Sequence, residues 1–219
     1  VEASRNFANK LWNATKFVLM NCSSSQIEHK KCDYAEGHVD LTDQWILSKL
    51  NRTKKELYEL LSNYKLGEAA KLIYEFAWND FCDWYLEFQK IRFNNPGFEN
   101  RILSENLLIE ILDNILTMMN PFMPHLTEEL WHSLYKGNED ILLSLQRWPS
   151  LEVKYLDDNL EKSFDKLFQI IRLIRNLRVE LGLKPAQHIS IFLVSDNIQL
   201  LEFIKKMSED IRLITKSSD

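Results

Sequence analysis

Apolar residues recur at steps of three and four through most of the chain, which predicts helices. Phe7, Leu11, Ala14 and Val18 place the first over residues 4–21. The period lapses across 22–40, where Ser23, Ser24 and Ser25 precede scattered charges, so this stretch is expected to be a mobile loop insertion. Asp40 or Thr42 caps a second helix that runs to about Tyr64. A third runs from about Gly67 to Phe93 and ends at Asn94-Asn95-Pro96-Gly97, and a fourth covers roughly 99–119, before Pro121. Thr127 is placed to cap a short fifth helix through Tyr135, with Glu128 and Glu129 set against its dipole. A sixth spans about Asp158 to Leu181, with Gly182 and Pro185 as its stop signal. Beyond it, Ile189, Ile191 and Leu193 alternate with Ser190, Phe192 and Val194 as a strand does, and 197–214 returns to a helical period.

The pattern gives a mainly α fold, an antiparallel helix bundle over 1–185, followed over 186–219 by the incomplete start of a small α/β domain, because one strand cannot satisfy its own edges. Five glycines and five prolines in 219 residues fit long helices better than many short strands. No apolar run approaches a membrane span, and Val1 to Arg5 do not form the basic-then-apolar start of a signal peptide. Three cysteines without paired spacing favour a reducing, cytoplasmic setting. Cys22, His29, Cys32 and His38 match no common zinc spacing, so no metal site is expected.

Charge changes the picture more. The net is −5, which argues against nucleic acid, but residues 1–60 carry +1, residues 61–160 carry −8 and residues 161–219 carry +2. Phosphate contacts need local rather than total positive charge, so an RNA footprint would use the two ends. On the first helix Arg5, Asn9, Trp12 and Lys16 fall within about 60° of one another, opposite the apolar stripe, with Asn13 beside them. Arg and Lys hold phosphates, Asn pairs with base edges, and an exposed Trp offers a stacking face for an unpaired base. Read from the residues alone, the stripe is more simply a solvated helix face, with Trp12 tucked under a neighbouring loop.

Four stretches carry a family resemblance. They are Arg5-Asn6-Phe7-Ala8-Asn9-Lys10-Leu11-Trp12-Asn13-Ala14, Leu41-Thr42-Asp43-Gln44-Trp45-Ile46-Leu47-Ser48-Lys49-Leu50-Asn51, Phe81-Cys82-Asp83-Trp84-Tyr85-Leu86-Glu87, and Asn120-Pro121-Phe122-Met123-Pro124-His125-Leu126-Thr127-Glu128-Glu129-Leu130-Trp131. Together they resemble the anticodon-binding helical domain of the bacterial-type valyl-tRNA synthetases, which are class I aminoacyl-tRNA synthetases. The last stretch is shared with the isoleucine and leucine enzymes; the first points to valine. The resemblance implies that valine-specific tRNA is the partner, that the stripe on the first helix meets the anticodon, and that a catalytic domain of the same chain lies upstream. It implies a monomeric parent that uses ATP and magnesium, and no cofactor or catalytic residue in this chain. Lys206-Met207-Ser208-Glu209-Asp210 imitates the family's second ATP signature only in letters, since the second lysine is absent. The alternatives are the equivalent domain of the isoleucine enzyme and a free-standing helical interaction module.

Two further expectations concern charges. In the sixth helix Leu167, Ile170, Ile171, Ile174, Leu177 and Leu181 form a core stripe, with Arg172 and Arg175 toward its edge as phosphate contacts. Arg178 projects into the stripe and is expected to form a buried ion pair with Asp80, Asp83 or Glu87, which share a face of the third helix.

Overall fold

The computed structural model describes residues 2–22, 39–95, 97–98, 100–135, 141–184 and 187–218. Most of the 22–40 insertion, including His29, Cys32 and His38, lies outside the described residues. The chain divides into two compact units, Val1–Leu156 and Asp157–Asp219.

The first unit is a helix bundle: α1 (Glu2–Asn21), α2 (Leu41–Ser62), α3 (Leu66–Glu75), a π-helical stretch (Phe76–Tyr85), α4 (Leu86–Phe93), α5 (Arg101–Met119) and α6 (Pro124–Leu134). Asp40 caps α2 by accepting from the N–H groups of Thr42 and Asp43 at 3.1 and 3.3 Å. Thr127 is not a cap. It lies inside α6, where its hydroxyl donates to Met123 O at 3.0 Å and accepts from the Asn120 side chain. Pro124 starts that helix instead, at the position where a missing N–H costs nothing.

The third helix is continuous through Leu66–Phe93 but widens to π geometry in its centre. Five aromatic residues crowd that stretch, and the wider turn sends Phe76, Phe81, Trp84 and Tyr85 into the core. The same widening breaks the wheel that grouped Asp80 with Asp83. Asp80 faces Lys49 of α2 at 3.6 Å, whereas Asp83 faces Lys10 of α1 at 2.5 Å. α1 runs alongside this helix in the same direction, with Phe7 against Tyr74 at 4.7 Å and Phe17 against Phe93 at 6.2 Å between ring centroids. α5 begins beside the end of α1, where Arg101 donates to Asn21 O. Trp45, Trp131, Phe88, Leu107, Ile111 and Leu112 fill the core.

Two helices end in the same motif with different residues at the left-handed position. After α7 (Asp158–Glu180), Gly182 (φ 63°) donates to Val179 O while Leu183 N donates to Arg178 O. After α2, Tyr64 (φ 57°) donates to Leu61 O while Lys65 N donates to Leu60 O. The tyrosine ring is 89% exposed, so little packing offsets the crowding of its Cβ. Tyr64→Gly is therefore expected to raise stability by about 1 kcal/mol in urea unfolding, and an unchanged midpoint would contradict this.

In the second unit, α7 (Asp158–Glu180), β1 (Ile189–Ser190), α8 (Ile198–Lys206), α9 (Ser208–Thr215) and β2 (Ser217–Ser218) follow one another. The division into compact units falls at 156/157, so the sixth helix groups with the tail, whereas the sequence placed the domain boundary at 185/186. The buried stripe of α7 is Phe164, Leu167, Phe168, Ile171, Ile174 and Arg178, and Phe164 meets Phe203 of α8 at 5.2 Å. Leu177 and Leu181 sit about 60–100° to one side of that stripe and are exposed rather than core. The expected strand over 189–194 pairs only at Ile189 and Ser190, in parallel with Ser217 and Ser218. The remaining alternation has no partner strand among the described residues. The single helix expected over 197–214 breaks at Met207.

Candidate nucleic-acid interface

An amphipathic α1 needs its apolar side against the bundle, and this fixes what the other side presents. Phe7, Leu11, Ala14 and Val18 are buried, while Arg5, Asn9, Trp12, Asn13 and Lys16 are all exposed. Trp12 is 37% exposed, and the Lys16 ammonium sits 5.9 Å from its ring centroid. No carboxylate among the described residues pairs with Arg5 or Lys16. Lys10, on the same helix but turned toward the bundle, differs: it lies 3.7 Å from the Trp78 ring centroid and is bonded to Asp83.

Arg172 and Arg175 belong to the second unit. Arg172 is exposed and Arg175 half-buried, and each has an interaction partner. Arg178 is buried within the second unit, as its place in the stripe requires. One amino group of its guanidinium donates to the backbone carbonyls of Lys184 at 3.2 Å and Gln187 at 2.7 Å. The turn after Gly182 brings those carbonyls back over the end of α7, while the other amino group, Nη1, is buried with no hydrogen-bond partner among the described residues.

The buried ion pair that the bundle does contain was not anticipated. Arg92 of α4 donates from Nη1 to Asp43 at 2.8 Å and from Nη2 to Asp40. The same Asp43 oxygen accepts from the Tyr85 hydroxyl at 2.8 Å and from the Gln89 amide at 3.2 Å. Burial pushes the Asp43 carboxyl up to about 6 against the opposing pull of Arg92, and burial also raises the Tyr85 hydroxyl, which stays a donor. The available signal was Tyr85, Gln89 and Arg92 at steps of four and three, a polar line on a helix otherwise rich in aromatics. This cluster ties the start of α2 to α4 and, apart from the part-exposed Asp40, is buried in the bundle.

Burial pushes the Cys22 and Cys82 thiols up to about 12, which removes them as nucleophiles. Among the described residues no group of three or more His, Cys, Asp or Glu side chains is placed to hold a metal ion, and no helix is long and apolar enough to cross a membrane.

Comparison with known proteins adds an independent observation. A family model described as the anticodon-binding domain of tRNA ligase matches residues 43–193. The chain is 59% identical over its whole length to a valine–tRNA ligase of Prochlorococcus marinus subsp. pastoris, covering 24% of that protein. It is 47% identical, again over its whole length, to the valine–tRNA ligase of another Prochlorococcus marinus strain, covering 24% of it. Identity to the Parasynechococcus marenigrum valine–tRNA ligase is 46% over 99% of this chain and 24% of that protein. The chain thus spans about a quarter of the length of these curated relatives. α1, with its exposed stripe, precedes the residues that the family model matches but lies within the whole-chain matches.

Proposed function

The chain belongs to the anticodon-binding domain family of tRNA ligases, and from that premise we propose that it binds valine-specific tRNA at the anticodon through the exposed side of α1. The observation that carries the reading is the coincidence, on one solvent-facing stripe, of two cations without carboxylate partners among the described residues, an exposed tryptophan and two asparagines. Arg5 to Lys16 spans roughly 16 Å of helix, the reach of about five stacked nucleotides, which suits a short unpaired segment. The valine assignment rests on the relatives, each of which is a valine–tRNA ligase.

In this reading the domain belongs to a longer chain that joins valine to tRNA with ATP and magnesium, and its task is to hold the anticodon end while chemistry proceeds elsewhere. The residues here do not fit a nucleotide site: the sequence has neither a Gly-rich phosphate loop nor the family's ATP signatures.

The test is a titration of the 219-residue chain with a tRNA carrying a valine anticodon, and with the same tRNA altered only in the anticodon, at two salt concentrations. Binding is expected to weaken as salt rises, because phosphate contacts release counterions, and to weaken further when the anticodon is changed. Equal affinity for the two tRNAs would overturn the anticodon assignment and leave general RNA binding.

A further inference from the structure

The cations on or against α1 differ in what already satisfies them. Lys10 is bonded to Asp83 at 2.5 Å. Arg101 is bonded to Glu105 at 2.8 Å, which matches its charge, and its two amino groups donate to the carbonyls of Phe93 and Asn21, joining α5 to the ends of α4 and α1. Lys90 of α4 is in a different position. It is exposed, no carboxylate among the described residues pairs with it, and its ammonium lies 5.9 Å from the centroid of the Phe17 ring on α1.

Phe17 follows Lys16 directly and lies about 100° further round the helix, on the side toward α4. Lys90 therefore flanks the end of the α1 stripe, against the half-buried Phe17 ring that follows Lys16. An ammonium held over a ring face keeps its remaining N–H groups outward, where an anion can take them.

Resting on the reading of α1 as the RNA-binding helix, we propose that Lys90 is a further phosphate contact of that site, so that the strand passing Trp12 and Lys16 crosses Phe17 and meets a cation supplied by α4. The strand is thereby gripped by two helices, which sets its direction across the bundle as well as its place along α1.

The experiment measures binding of the 219-residue chain to an anticodon stem-loop with the valine anticodon, as a function of salt, for Arg5→Ala, Lys16→Ala, Lys90→Ala, Lys90→Arg and Lys55→Ala. Lys55 is an exposed α2 lysine and serves as the control. Lys90→Ala is expected to weaken binding about fivefold at 0.1 M salt and to flatten the slope of log affinity against log salt by about 0.7. Lys90→Arg should keep both, Lys55→Ala should match the parent, and all variants should melt at the parent temperature. Parental affinity and slope for Lys90→Ala, with losses for Arg5→Ala and Lys16→Ala, would overturn the proposal and leave the α1 site standing. Parental values for all three would overturn the α1 site and Lys90 with it. A loss for Lys55→Ala equal to that for Lys90→Ala would reduce the effect to general charge and overturn the proposal too.

Discussion

Replacing Arg92 with alanine is expected to destabilise the bundle by about 3–5 kcal/mol, because it leaves Asp43 buried without a countercharge. Asp43 is 2% exposed, and the two donors left to it, Tyr85 and Gln89, are neutral. Asp40 also loses its partner, but it is partly open to water and contributes less. The loss should depend on pH in a defined direction. An ordinary carboxyl titrates near pH 4 when unfolded, and burial lifts that of folded Asp43 to about 6. The folded state therefore binds this proton more tightly, and the contribution of Asp43 to stability falls as pH rises from about 4 to about 6. Without Arg92 the opposing pull is gone, so the window extends upward and the deficit of the variant against the parent grows above pH 6. Urea unfolding at pH 5 and pH 8 measures both effects. A loss below about 1 kcal/mol, or an equal deficit at the two pH values, would mean that Asp43 does not depend on Arg92 for its charge.

What the sequence made legible follows from how far each feature depends on distant residues. α1 was readable because its apolar and polar sides separate within 18 residues, and the burial of Phe7, Leu11, Ala14 and Val18 matches that separation. The cap at Asp40 and the left-handed Gly182 are equally local. The third helix was located correctly but its face was not, since the wheel assumes a constant turn and the Phe76–Tyr85 stretch does not keep one. The Asp43–Arg92 pair joins residues 49 positions apart, and no local pattern encodes the match. Arg178 shows a related limit. Its burial was legible from spacing, but its acceptors are backbone carbonyls, which every sequence offers at every position. Tyr64 in a left-handed turn gave no signal because glycine is the residue that announces one. The strand over 189–194 is a pattern that found only two paired residues. Lys90 was missed because its nearness to Phe17 is set by how α4 lies on α1.

Substitutions along α1 are expected to separate into classes, since the stripe combines three chemistries. Trp12→Ala should cost about 1–3 kcal/mol of tRNA binding if a base stacks on the exposed indole, a loss of roughly fivefold to more than a hundredfold. That loss should change little with salt, because stacking releases no counterions. Arg5→Ala and Lys16→Ala should weaken binding to every tRNA and flatten the salt dependence by about 0.7 to 1 for each phosphate lost. Lys16 has a second consequence, as its ammonium approaches the Trp12 ring and its removal also frees the indole to move. Asn9→Ala should lower the preference for the valine anticodon more than total affinity, because base edges carry the sequence and phosphates do not. None of these side chains is buried, so unfolding midpoints should stay at the parent value. Salt titrations of each variant against matched and altered anticodons make the separation visible. A Trp12→Ala variant whose loss scales with salt like that of Arg5→Ala would show that the indole packs beneath the RNA and does not stack on a base. Asn9→Ala losing equally on both anticodons would make the asparagine a backbone contact, and the reading of the anticodon would then have to pass to Asn13, the other asparagine on that face.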